Sequence, residues 1–285
     1  MKVFKHFDLT EYNSYQIKAI CETAYFPEND EDIHTLFSDI DQKKILIGGG
    51  YNVLLSKEYY PDNFVIFSGN YDKMELIDEE FILCEAGCDM KKLSEFAWSN
   101  SLSGLEIFYD IPSSLGGAVV MNAGAGGEDI KGILEKVWYY NPHISSISTI
   151  TTEEINFEYR NSFFQKNPEM IVTKALLRLY QKEQSVIKDK MEQIKAARWA
   201  KQPREYPNAG SVFKRPRGMF VGPMIDELGL KGYTIGGAKI SEKHSGFIVN
   251  FNNASGADIL ELIMYVKEAV RLRFNTELEV EQRLI

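Results

Sequence analysis

Residues 110–129 read DIPSSLGGAVVMNAGAGGED, and ten of these twenty positions are Gly, Ala or Ser. A run so short of side chains implies close approach. Either a helix packs tightly against its neighbours here, or a ligand lies against the backbone. A second such stretch, LIGGGYN at 46–52, ends the short apolar strand KKILI on three glycines, Gly48 to Gly50. Consecutive N–H groups in a glycine turn form a nest that holds an anion, so both stretches can cradle a pyrophosphate; tight turns explain the same residues. Neither has the G-x-G-x-x-G spacing or a G-x-x-x-x-G-K-[ST] loop, which excludes a Rossmann or P-loop site.

Helical and strand patterns alternate around these stretches. Ile33, Leu36, Phe37 and Ile40 fall on one helix face. NFVIFSG, FILCEAG and IVTKALLRLY read as strands, and Asp89 caps a helix carrying Met90, Leu93, Phe96 and Ala97. The charged helical segment 181–199 marks a composition shift, which predicts two lobes, 1–182 and 183–285. The second lobe holds a glycine-dense region, a strand FIVNF, and a helix whose Ser255 and Asp258 have capping-box spacing. That helix presents Ile259, Leu262, Ile263, Val266 and Val270 on one face. In the closing LEVEQRLI, alternation puts Leu278, Val280 and Leu284 on one face and Glu279, Glu281 and Arg283 on the other. The fold class is α+β.

Charge and cysteine content bound the partners. A net charge of −9 argues against a nucleic-acid or anionic-membrane surface, though a few local cations can still hold a small anion. No segment approaches the roughly 18 apolar residues of a membrane helix, and the first residues have no secretory h-region. Cys21, Cys84 and Cys88 form no disulfide framework, which predicts a cytoplasmic protein. His244 has no second His, Cys or clustered carboxylate nearby, so it reads as a hydrogen-bonded structural residue, and no metal site is expected.

The motifs together resemble a known family. GLE at 104–106, IPSSLGGAVVMNAGAGG, GGGYN, YRNSFF at 159–164, NAGSVFKRP at 208–216, GLKGYTIGGAKISEKHSGFIVN at 229–250 and LEVEQRLI span nearly the whole chain. They resemble, in order and spacing, the UDP-N-acetylenolpyruvoylglucosamine reductases of peptidoglycan precursor synthesis. The resemblance implies a vanillyl-alcohol-oxidase-type FAD-binding lobe of two α/β subdomains. A C-terminal α+β substrate lobe follows, its last strand returning to the active site. The short span between YRNSFF and IVTKALLRL resembles the subgroup without an inserted substrate-capping loop. The implied reaction takes a hydride from NADPH through FAD to the enolpyruvyl group of a UDP-sugar.

That chemistry needs a cation on the substrate carboxylate and a proton donor to the carbanion-like carbon. The resemblance assigns the first role to Arg160 and the second to Ser211. Glu281 supports them, although spacing alone does not separate it from Glu279. Lys214 and Arg215 stand ready for a diphosphate or the uracil side, or form a solvated basic turn. The implied flavin contacts are Gly48, Gly49, Gly50, Asn52, Ile111, Pro112, Gly116, Gly117, Ala118, Asn122, Ala123 and Gly124.

The chain departs from the family pattern in the flavin half. Gln16 and Lys18-Ala19 replace an Arg-x-Gly-Gly-like turn, Tyr51 replaces a small hydroxyl residue, and Asp110 and Ser113 replace glycines. Asp110 brings a negative charge toward the expected pyrophosphate, and Ser113 is strained if its φ is positive. Three readings follow: an active reductase, a flavin-poor paralogue that binds a UDP-sugar or other ligand as a sensor or interaction protein, or a flavoenzyme of the same fold with another substrate. Retention of Arg160, Ser211 and Glu281 favours the enzyme, since a binder has no chemical need for that serine and glutamate.

Overall fold

The strongest strand pattern, IVTKALLR, lies at the centre of a five-stranded antiparallel sheet. Its order is Ser146–Thr151, Leu134–Asn141, Ile171–Arg178, Phe81–Glu85, Met74–Leu76. Ala175 faces Val137 on one side and Cys84 on the other. Four of this strand's eight residues are apolar and buried, and Ile171, Thr173, Ala175 and Leu177 share the buried face, as expected for a central antiparallel strand with one face on the core. The structure, a computed structural model, describes residues 1–39 and 41–285, so Ile40 of the expected helix face lies outside the described residues.

The chain divides into two units. The first comprises Met1–Phe4, Thr23–Gly49 and Asp62–Ala197; the second comprises Lys5–Glu22, Gly50–Pro61 and Arg198–Ile285. In the first, helix Met90–Ser99 begins at Asp89, whose carboxylate accepts from Lys92 N at 3.0 Å. It buries Met90, Leu93 and Ala97 in the core that holds Ile82, Cys84 and Ala175. Helix Leu115–Met121 runs into the same core through Leu115, Ala118 and Val119. A Cβ built on Gly116 would stand 3.1 Å from Ala86 Cβ, so glycine lets this helix approach the end of Phe81–Glu85. Helix Asp30–Phe37 is capped by Asn29 and buries Ile33 and Leu36. Strand Lys44–Ile47 pairs in parallel with Asn63–Ile66.

The second unit carries a three-stranded antiparallel sheet: Thr234–Ile235, Ala238–Ile240 and Ile248–Asn250. Helix Gly256–Phe274 buries the five apolar residues its periodicity indicates. The capping box is formed: Asp258 N donates to Ser255 Oγ at 3.1 Å and Ser255 N to Asp258 Oδ2 at 2.9 Å.

The C-terminal segment corrects the expected alternation. Val280 bridges Phe213 antiparallel, whereas Arg283 and Leu284 pair in parallel with Val53 and Leu54. A change of partner within three residues breaks the two-residue period. Leu284 is therefore 46% exposed while Gln282 is only 4% exposed.

Candidate active site

The first unit holds two backbone features of the expected flavin cradle. The parallel ladder ends where Phe67 N donates to Ile47 O at 3.0 Å, and Gly48 and Gly49 follow. Among the described residues, the N–H groups of these two glycines make no hydrogen bond. Two successive donors without a protein acceptor have the chemistry of a pyrophosphate nest, so the residues present fit the group. A Cβ on Gly48 would reach 2.2 Å from Ser114 Oγ, which sets this turn against the cap of helix Leu115–Met121.

The first turn of that helix has a different accounting. Leu115 N donates to Cys88 O, Gly116 N to Ala86 O, and Gly117 N to the Ser114 hydroxyl at 2.9, 2.8 and 3.3 Å. Here the small residues serve packing within the protein. Ala118 is fully buried, Ile111 is half-buried and Pro112 exposed. Asn122 ends the helix in the left-handed region, φ 45°, and Ala123 N closes back on Ala118 O at 2.9 Å. Gly124 pairs with Asp129, and a Cβ there would fall 2.2 Å from Glu128 O.

Arg160 lies against this turn. Nη1 donates to Asn122 O at 3.2 Å and Nη2 to Gly124 O at 2.8 Å, with the Tyr159 ring 5.3 Å from the guanidinium carbon. Its own φ is 54°, a left-handed conformation that a non-glycine residue holds only when its surroundings enforce it. Gly124→Ala pushes a methyl into Glu128 O and moves one of the two carbonyls that hold the guanidinium. Overpacking of this kind costs about 1–3 kcal/mol. Urea unfolding of Gly124→Ala measures that loss, and wild-type stability would show that the hairpin yields freely.

Of the family departures, Ser113 is harmless to the backbone, since it is not among the residues with positive φ. Its carbonyl accepts from Met90 N at 2.9 Å. Gln16 does take a left-handed φ of 53°, at a cost of about 1–2 kcal/mol for a side chain with a Cβ. Tyr51 and Asp110 are half-buried and Lys18 is exposed.

The second unit assembles the remaining residues. Gly50, φ 70°, lies with its α-carbon against Tyr12: a Cβ there would meet Tyr12 O at 2.0 Å. Asn52 donates through Nδ2 to Glu281 O at 3.1 Å. Asn208 folds the segment before Ser211. Its Nδ2 donates to Tyr206 O and Pro203 O at 2.9 and 3.1 Å, and its Oδ1 accepts from Gly210 N at 3.2 Å. Gly210 then adopts φ 79° and delivers Ser211 to the surface.

Beyond the serine, the segment pairs on both sides. Ser211 bridges Phe247 and Val212 N donates to Gly246 O at 3.0 Å. On the other side Glu281 N donates to Val212 O at 2.8 Å and Lys214 N to Glu279 O at 2.9 Å. Ser211 and Glu281 therefore lie on neighbouring extended segments. The two glutamates differ in setting: Glu279 is 2.6 Å from Lys214 Nζ and mostly exposed, while Glu281 is half-buried. Arg215 lies 4.4 Å over the Phe220 ring.

Sequence reasoning passed over Asn208, Ser114 and Gln282. Asn208 carried a readable signal, since Asn before Ala-Gly favours a side-chain turn. Ser114 carried another as a helix cap.

His244 is structural, as expected. Its Nδ1 accepts from Gly246 N at 3.1 Å, and the ring packs edge-on to Phe247 at 4.8 Å. Burial lowers its pKa below the ordinary 6.5. Because the folded pKa is depressed, the unfolded chain takes up the proton first as pH falls. His244's contribution is thus full above 6.5 and declines below it. Unfolding of wild type and His244→Asn on either side of that pH should show a shallower pH dependence in the variant, which keeps an acceptor but does not titrate. Equal slopes would remove His244 as the cause.

Among the described residues no group of three or more His, Cys, Asp or Glu could hold a metal ion, and no helix is long and apolar enough to cross a membrane. Residues 202–285 match the family model of the UDP-N-acetylenolpyruvoylglucosamine reductase C-terminal domain, and residues 22–138 match that of an FAD binding domain. The reductase of Francisella tularensis is 38% identical over 99% of each chain, and that of Syntrophomonas wolfei 40% identical over 97% of this chain and 93% of that protein. The crystal structure of the Thermus caldophilus reductase superposes with a TM-score of 0.84 at 30% identity, covering 99% of this chain and 98% of that one. With agreement of this extent in sequence and in fold, the chain belongs to the UDP-N-acetylenolpyruvoylglucosamine reductase family.

Proposed function

We propose that this protein reduces UDP-N-acetylglucosamine enolpyruvate to UDP-N-acetylmuramate, using NADPH and bound FAD, as a cytoplasmic step of peptidoglycan precursor synthesis. The observation that carries the reading is the pairing of residues 212–214 with 279–281, which places Ser211 beside the segment of Glu281. A UDP-sugar binder without chemistry has no use for an exposed hydroxyl on so constrained a turn.

FAD, when bound, supplies hydride transfer; the rest is the work of this chain's residues. Residues 1–182 would serve as the flavin lobe, where Gly48 and Gly49 would donate N–H groups to the pyrophosphate and Gly50, Asn52 and the 111–124 stretch would shape the surroundings. Residues 183–285 serve as the substrate lobe. Arg160 grips the enolpyruvyl carboxylate and stabilises the negative charge that spreads into it during reduction. Ser211 Oγ gives its proton to the adjacent carbon, and Glu281 supports the enolic intermediate. Lys214 and Arg215 meet the diphosphate side.

The test is NADPH consumption by the FAD-loaded protein with and without the enolpyruvyl substrate, with the lactyl ether identified by mass. Substrate-dependent consumption with that product is expected. A flavin-loaded protein whose reduced flavin is not reoxidised by this substrate would overturn the assignment.

A further inference from the structure

Gln282 is a buried amide where alternation predicts an apolar neighbour, and both ends of it are in use. Tyr15 Oη donates to Gln282 Oε1 at 3.0 Å, and Gln282 Nε2 donates to Ala209 O at 3.2 Å. Tyr15 is 0% exposed and Ala209 4%. The backbone on either side of Gln282 is also held: Glu281 N donates to Val212 O, and Arg283 N to Asn52 O at 2.9 Å. A second amide reinforces the same hub. Asn250 Nδ2 donates to Tyr15 O at 2.8 Å, and Asn250 N donates to Pro207 O at 2.8 Å. Tyr15 thus anchors both ends of the three residues that precede Gly210 and Ser211.

We propose that Gln282 is a positioning residue for the reductive chemistry. Its amide ties the turn that presents Ser211 to the segment that carries Glu281, with Tyr15 as its fixed point. This rests on the roles proposed for Ser211 and Glu281. Without the Nε2–Ala209 bond, Ala209 to Ser211 keep their cap from Asn208 but lose their tether to the strand of Glu281. A shift of about 1 Å in a reacting group can cost about 10²-fold in rate.

The experiment uses the FAD-loaded protein with Gln282→Met, Gln282→Glu and Tyr15→Phe, and two readouts. Hydrogen exchange of residues 208–213 reports the tether without reference to any reaction. Rapid-mixing absorbance separates flavin reduction by NADPH from its reoxidation by substrate. In Gln282→Met, exchange across 208–213 rises, reoxidation slows about 10²-fold, and reduction by NADPH is unchanged. In Gln282→Glu, a protonated carboxyl supplies one donor and one acceptor, whereas the ionised form only accepts. Reoxidation therefore recovers as pH is lowered and is lost as pH rises, a limb that wild type lacks. If Gln282→Met does not fold, Tyr15→Phe, which removes one oxygen, is read in the same way. Unchanged exchange across 208–213 in the folded variants overturns the tether. Raised exchange with wild-type reoxidation overturns its role in positioning. Raised exchange in variants of a wild type whose reduced flavin is not reoxidised by the substrate overturns the assigned reaction and leaves the tether standing.

Discussion

Ser211→Ala slows reoxidation of the reduced flavin by substrate about 10²–10⁴-fold, the usual contribution of a positioned proton donor, and leaves flavin reduction by NADPH unchanged. The substitution removes one oxygen and retains the Cβ, so the turn set by Asn208 and Gly210 is undisturbed. Ser211 is exposed, and among the described residues its hydroxyl makes no protein hydrogen bond. Stability therefore stays within about 0.5 kcal/mol, and any kinetic loss belongs to the chemistry. Serine is a weak acid, but an enolate carbon is a strong base, and neighbouring groups in a closed site lower the cost of the alkoxide. Rapid mixing of the variant with NADPH and then with substrate decides the matter. Equal loss in both half-reactions would mean that Ser211 shapes a surface both reactants use and donates no proton.

The elements with a strong local period were legible before any coordinates. Helix Gly256–Phe274 carries its cap and its five-residue apolar face in the sequence, and the central strand Ile171–Arg178 is legible from its apolar-rich run, of which Ile171, Thr173, Ala175 and Leu177 form the buried face. The end of the chain was not legible, because Val280 and Arg283 pair with different segments in different senses. Period-two reasoning assumes one partner and one direction. The small-residue stretch was half legible. Sequence alone favoured close packing over ligand contact for either glycine stretch, and the structure divides the two by position. At Gly116 and Gly124 the absent side chain leaves room for Ala86 and Glu128, while at Gly48 and Gly49 the donors have no protein acceptor. Which of the two applies depends on what folds against the turn, and that comes from distant residues. Gln282 was invisible for the same reason, since its partners Tyr15 and Ala209 lie far away in the chain.

Arg160→Lys lowers turnover by about 10²–10³-fold, the scale of losing a preorganised charge stabiliser, although charge and chain length are nearly conserved. The reason is the way the guanidinium is held. Carbonyls of Asn122 and Gly124 accept from its two Nη atoms at 3.2 and 2.8 Å, which fixes the orientation of its plane. A carboxylate approached in that plane is gripped by two parallel hydrogen bonds, and charge growing on it is met without reorganisation. An ammonium has no plane to fix, and an Asn122 or Gly124 carbonyl that binds it does nothing to aim its other protons. Lysine also retains the Cβ, so the left-handed φ of 54° costs the same in both proteins, and backbone relaxation cannot account for a difference. Because the grip tightens as charge develops, kcat and kcat/KM should fall together. A rise in KM at constant kcat would instead make Arg160 a uniform binding contact. Near-wild-type values of both would remove it from the reacting centre, and its strained backbone would then need another explanation.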